Sequence, residues 1–217
     1  MLSNEISRAS KLPATSTEPT KQVVPELSIL QELKQKTAAH HRALEETAGI
    51  WDSLSSRPSY IKLLTRFWGI YSAGEARLAM LQELPLWLPD LSQRWKVPAL
   101  EFDLTALGLS SELWCGWAGA PDIETVAAAF GWLYVFEGST LGGQMISREI
   151  HRQLGLDARN GGRFFFSYGA EVAAMWKLFG QRLESFCLAN PVCRNEVIES
   201  AEAAFGLFSQ ALNGKSL

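Results

Sequence analysis

The chain has 217 residues, 47% of them hydrophobic and 20% charged, and 20 Lys+Arg against 23 Asp+Glu leave a net charge of −3. This is the composition of one globular domain large enough to bury a core. It lacks the basic excess of a general nucleic-acid binder, and no uncharged apolar run of about 18 residues reads as a membrane span.

Residues 1–24 are rich in Ser, Thr and Pro without periodicity and read as a mobile tail ahead of a domain over 25–217. They carry no apolar run of secretory type, so the cytoplasm is the default location. From Pro25 the pattern is helical. Leu27, Leu30, Leu33, Thr37 and Leu44 form one stripe of 3.6 period, read as a single first helix. A second helix starts at Pro58 and runs toward Leu84, with Pro85 and Pro89 closing it. The segment LEFDLTALG adds a short helix or turn. A long apolar helix is predicted from about Thr125 to Leu154, and Asn160-Gly161-Gly162 breaks the chain after it. Two further helices are predicted around Ala170–Ala189 and Arg194–Leu212, separated by Asn190-Pro191. Alternating strand patterns are nearly absent, so the expected class is all-α, a single domain.

The long helix contains four glycines, Gly131, Gly138, Gly142 and Gly143. Each costs about 1 kcal/mol relative to Ala in a helix interior, so a reason for them is needed. Gly131, Gly138 and Gly142 fall on one face, and the Gly142-Gly143 pair is expected to kink the helix. Two readings stand: the bare track lets another helix approach closely, or it lies against a flat ligand with backbone near its reactive centre. Eight tryptophans fit either reading, as a large aromatic core or as the walls of a flat apolar site.

Histidine and cysteine are scarce. The histidines are His40, His41 and His151, and the cysteines are Cys115, Cys187 and Cys193, an odd set without C-x-x-C. That argues against a disulfide framework and a thiolate zinc site. Zinc needs three or four ligands, and a di-iron bundle needs Glu-x-x-His pairs that the chain does not contain. A single axial histidine on haem needs only one. His40 and His41 lie to either side of the leucine stripe, so periodicity does not choose between them. Glu45, four residues after His41, can accept a hydrogen bond from its second ring nitrogen, whereas His40 has Leu44 in that place. His41 is the candidate metal ligand.

The segment Leu33–Glu45 resembles the proximal-helix motif of the heme oxygenases, and Glu137-Gly138-Ser139-Thr140-Leu141-Gly142-Gly143 resembles their distal-helix motif in its bacterial form. Pro191–Arg194 and Val197–Phe205 are similar to the family's last helix, and Arg57–Leu91 is similar as well. The resemblance spans about Glu26 to Leu212, and its nearest branch is the bacterial one that supplies biliverdin to bacteriophytochromes. It implies haem held between a proximal helix and a kinked distal helix, both substrate and cofactor. Haem would be cleaved to biliverdin, carbon monoxide and ferrous iron with dioxygen and electrons from a ferredoxin or flavoprotein reductase. It places the axial ligand on His41 and its hydrogen-bond partner on Glu45, with Gly138, Ser139, Gly142 and Gly143 on the distal side. Lys34, Tyr134 and Lys177 are implied as partners of the haem propionates, Phe205 as a pocket wall. A family arginine falls on Gln181 or Arg182. Ser139 stands where animal members carry an aspartate, so distal water would be anchored by its hydroxyl, by backbone carbonyls or by another side chain. A haem carrier or sensor without turnover would differ from the enzyme only on this distal side. A helical enzyme of the thiaminase type would instead need a pocket cysteine and carboxylates.

Overall fold

A computed structural model describes residues 27–114 and 121–213; the expected tail and Cys115 lie outside the described residues. Within them every regular element is helical. Helix α1 (Ile29–Lys36) starts at a capping box in which Ser28 and Gln31 exchange side-chain and backbone hydrogen bonds. Helix α2 (Ala38–Thr47) follows at once. The expected single first helix is thus divided at Thr37, whose ψ of 0° departs from the helical ideal and whose hydroxyl donates to the Leu33 carbonyl at 2.8 Å. Such back-bonding by a buried threonine bends helices. The leucine stripe continues only as far as this bend: α1 buries Ile29 and Leu33, whereas α2 buries no residue at all.

After the short α3 (Ile50–Ser53), helix α4 (Arg57–Leu78) begins with Ser56 as N-cap and a proline in its first turn. It ends six residues before the expected Leu84, because the chain turns to bring both Leu84 and Leu88 fully into the core. Helix α5 (Leu84–Trp87), a 3-10 turn at Leu91–Arg94 and α6 (Val97–Ala106) lead to α7 (Val126–Leu154), capped by Thr125 and closed by Gly155 at φ 69°. Helical structure continues through Gly142 and Gly143 without a break. The short α8 (Arg163–Phe166) was not foreseen from the sequence, where the Phe-Phe-Phe run only followed a breaker. Helices α9 (Val172–Ala189) and α10 (Arg194–Leu212) complete the bundle close to their expected bounds.

The core is aromatic. Phe67, Tyr71, Phe136, Phe164 and Phe208, from four helices, meet ring to ring at centroid separations of 4.1–6.5 Å. Carboxylates from one helix cap the start of another. Glu75 on α4 accepts the backbone N–H groups of Lys96 (2.5 Å) and Val97 at the start of α6. Asp103 on α6 accepts those of Arg163 (2.9 Å) and Phe164 (2.8 Å) at the start of α8. Each satisfies donors that a helix N-terminus leaves unpaired. Burial raises Asp103 to about 6 and Glu75 to about 7.

The Glu75 shift carries a stability prediction. A carboxyl whose folded pKa is raised binds more protons in the folded than in the unfolded state. Its penalty therefore grows as pH rises from about 4.5 through 7. Glu75→Gln keeps an oxygen acceptor without the buried charge. It should raise the melting temperature at pH 8 by several degrees, with a ceiling of about 3 kcal/mol, and the gain should vanish toward pH 5. A gain independent of pH, measured by thermal melts across that range, would contradict the argument.

Candidate functional site

Helix α2 presents His41 and Glu45 one turn apart, His41 Nδ1 lying 3.5 Å from Glu45 Oε2, with the two side chains 59% and 67% exposed. Glu45 thus stands beside one ring nitrogen, at a distance longer than a normal hydrogen bond, and Nε2 is left to face a metal. The edge of Phe205, on α10, meets the His41 ring at 5.9 Å between centroids and 66° between planes. Phe205 itself is buried, so it backs the histidine with a rigid apolar surface. His40 is also exposed on α2, and the i,i+4 carboxylate distinguishes His41 from it.

The glycine track divides between the two readings. A Cβ at Gly131 would lie 2.4 Å from the Val197 carbonyl oxygen and 2.8 Å from the Ala201 nitrogen, both backbone atoms of α10. At Gly143 it would lie 3.0 Å from the Phe165 carbonyl oxygen of α8. These two glycines serve close packing. At Gly142 nothing stands within 4 Å, and at Gly138 the nearest atoms belong to the Trp176 ring, at 3.8 Å. The middle of α7 therefore offers bare backbone toward open space at Gly142 and against the Trp176 ring at Gly138, while Gly143 faces the protein.

Ser139 is exposed on α7. Its hydroxyl donates to the Phe136 carbonyl at 2.8 Å, which leaves the Tyr71 hydroxyl to donate to Ser139 Oγ across 2.9 Å. Tyr71 is fully buried and stacked on Phe136, and burial pushes its phenol well above its ordinary range, so it keeps its proton. Sequence reading missed Tyr71. Its only local signal was a tyrosine on α4, and its link to Ser139 spans 68 positions.

Behind Gly138, Glu137 is buried in an ionic cluster. It accepts from Arg94 at 2.5 Å and from the Tyr168 hydroxyl at 2.8 Å, and Arg94 also pairs with Asp90 at 2.6 Å. Burial opposes the Arg94 charge, but Glu137 and Asp90 outweigh it and hold the guanidinium above its ordinary pKa. This cluster anchors the bare stretch of α7 from the protein side. It too was invisible in the sequence, because its members come from separate elements.

The expected propionate partners gather at one end of the α1–α9 pair. Leu30 on α1 packs into Gly180 on α9, where a Cβ would meet it at 2.5 Å, and the Ile29 N–H donates to Glu184. The helices therefore run antiparallel, and their register brings Lys34 toward Lys177. The Tyr134 hydroxyl reaches the Thr37 side chain, and burial raises its pKa. Tyr134 also packs on Trp176 at 5.7 Å. Lys34, Thr37, Tyr134, Trp176 and Lys177 thus share one region, with both lysines exposed. Arg182 does not join Lys177: five residues apart on a helix are turned by about 140°. Gln181, four residues on, shares the Lys177 face.

Of the cysteines, Cys187 is buried, and burial pushes its thiol up to about 11. That disfavours a nucleophilic thiolate there. Among the described residues no cluster of three or more His, Cys, Asp or Glu could hold a metal ion, and no helix is long and apolar enough to cross a membrane.

The Heme oxygenase family model matches residues 121–214, which run from α7 through α10. A heme oxygenase of Xanthomonas campestris pv. campestris (strain 8004) is 35% identical over 137 residues, covering 60% of this chain and 78% of the relative. Two solved structures share the fold. The NO- and CO-bound heme oxygenase of Neisseria meningitidis has a TM-score of 0.78 at 24% identity, covering 87% of this chain and 92% of that one. Heme oxygenase-1 of the cyanobacterium Synechocystis sp. PCC 6803, in complex with heme, has a TM-score of 0.68 at 18% identity, over 87% of this chain and 92% of that one. On the extent of the Xanthomonas match, the chain belongs to the heme oxygenase family.

Proposed function

We propose that this chain is a catalytic heme oxygenase that opens haem to biliverdin, carbon monoxide and ferrous iron, with dioxygen and external electrons. The carrying observation is the combination of an accessible histidine with a carboxylate beside it on one helix and a bare stretch of backbone on another. His41, with Glu45 beside Nδ1, would hold the haem iron through Nε2, with the carboxylate orienting the ring. Bound haem supplies the iron that holds dioxygen and the ring that is cleaved. Gly142 would leave room for that ring against α7, and neither it nor Gly138 puts an acid on the distal face. Tyr71 donates to Ser139 Oγ, whose remaining lone pair would accept from the water that delivers protons. Lys34, Lys177 and Tyr134 stand where two propionates would be held, and Phe205 keeps the proximal side apolar.

The chain offers no flavin or iron–sulfur motif, so electrons come from a separate donor, a ferredoxin or a flavoprotein reductase. A bacteriophytochrome is the proposed acceptor of the biliverdin, resting on the bacterial form of the distal motif. Hemin titration should give a Soret complex near 1:1, and reductant in air should turn it into a biliverdin spectrum. A Soret complex that survives reduction in air would leave only haem carriage. Donor docking over Lys34 and Lys177 predicts slower turnover at high salt with a protein donor, and unchanged rates would remove charged docking.

A further inference from the structure

A recess lies where the turn preceding α6 faces α8, on the protein side of the Glu137 cluster. It is a cavity of about 260 Å³ lined by Trp95, Lys96, Arg163, Phe164, Ser167 and Tyr168, among others. None of the residues assigned above to haem lines it.

Three features set this recess apart from a packing defect. Lys96 is only 5% exposed, yet its ammonium is 3.9 Å from Glu137, beyond direct hydrogen-bond length, and sits over the Tyr168 ring at 3.4 Å. A buried ammonium without close hydrogen bonds is costly. Ser167 has φ 52° and ψ −121°, followed by Tyr168 at φ −81° and ψ 3°. These are the central angles of a type II′ turn, whose first position favours glycine. Holding a serine there costs about 1–3 kcal/mol, and its hydroxyl is buried with no hydrogen-bond partner. Arg163 lies at the edge, its guanidinium flat on Phe102 at 3.4 Å and its Nε donating to the Ala158 carbonyl. Lys96, Arg163 and a hydroxyl without a partner thus line a space whose lining includes no carboxylate and three aromatic residues.

We propose that this recess binds a small carboxylate with a flat apolar body. The carboxylate would take the Lys96 ammonium and the Ser167 hydroxyl, with Arg163 at the mouth. The flat part would lie against Trp95 and Phe164. A phosphate dianion suits the site poorly, since it would strip several water contacts for few donors beside apolar rings. This site does not depend on the haem reading.

The test is fluorine NMR of 4-fluorobenzoate with the full-length protein, with and without bound hemin. Saturable binding at millimolar concentration is expected in both, displaced by benzoate and not by equal inorganic phosphate. Lys96→Met should weaken it about tenfold or more, through loss of a charge-assisted hydrogen bond. Ser167→Gly should weaken it about threefold while raising the melting temperature, because strain and ligand contact go together. This opposition keeps the test open even if Lys96→Met fails to fold. Absent binding, equal binding in wild type and Ser167→Gly, displacement by phosphate, or loss in Lys177→Ala would overturn the proposal.

Discussion

His41→Ala is expected to weaken hemin binding by more than about 100-fold and to take biliverdin formation below detection. A 10–100-fold loss is usual when only the hydrogen-bond partner of a metal ligand is removed, so losing the ligand itself should exceed that. The fold should not notice the change. Helix α2 buries no side chain, His41 is 59% exposed, and exposed substitutions stay within about 0.5 kcal/mol. Melting temperature is therefore the control and the Soret band the readout, with added imidazole restoring part of the spectrum. Glu45→Gln should cost about tenfold in affinity or rate, since an amide orients the ring less strongly. His40→Ala should bind hemin like the parent chain. If His40→Ala lost the complex and His41→Ala kept it, the ligand assignment would be wrong.

Gly131→Ala and Gly142→Ala should move stability in opposite directions although both add one methyl to the same helix. At Gly131 the methyl would meet α10 backbone at 2.4–2.8 Å, and backbone cannot rotate aside. Overpacking should exceed the gain of about 1 kcal/mol in helix propensity and leave a net loss of about 2–4 kcal/mol. At Gly142 nothing stands within 4 Å, so alanine should stabilise by about 0.5–1 kcal/mol. Activity should divide the other way. Gly142→Ala puts a methyl where haem and dioxygen are proposed to lie, and it should slow turnover about tenfold or change the biliverdin isomer ratio. Denaturant unfolding measures the first contrast, and chromatography of the product the second. Full activity with an unchanged isomer in Gly142→Ala and in a bulkier Gly142→Leu would remove the bare face from the mechanism.

The two predictions show where local sequence suffices and where it does not. The His41–Glu45 contact was legible because the two residues sit one helical turn apart, a relation that spacing alone reports. The glycine track was legible as an anomaly, but its two explanations stayed open until neighbours were placed. Gly131 and Gly142 share a face of α7, and only the position of α10 decides which of them is covered. The first helix shows the same limit: the 3.6 periodicity runs from Leu27 to Leu44, yet the helix breaks at Thr37, where a back-bonded hydroxyl and the distant Tyr134 meet.

What the amino-acid sequence determined by itself was the all-helical class, the bounds of α7, α9 and α10, the His41–Glu45 pair and the glycine-rich motif that follows Glu137. Each depends on interactions between residues within about two helical turns, which periodicity and capping report directly. Only the tertiary structure decided that Gly143 packs on α8, that Tyr71 stands behind Ser139, and that Glu137 is held by Arg94 and Tyr168. These depend on contacts across 22 to 68 positions or on the orientation of a helix against its neighbours. Chain folding, not local spacing, creates those neighbours.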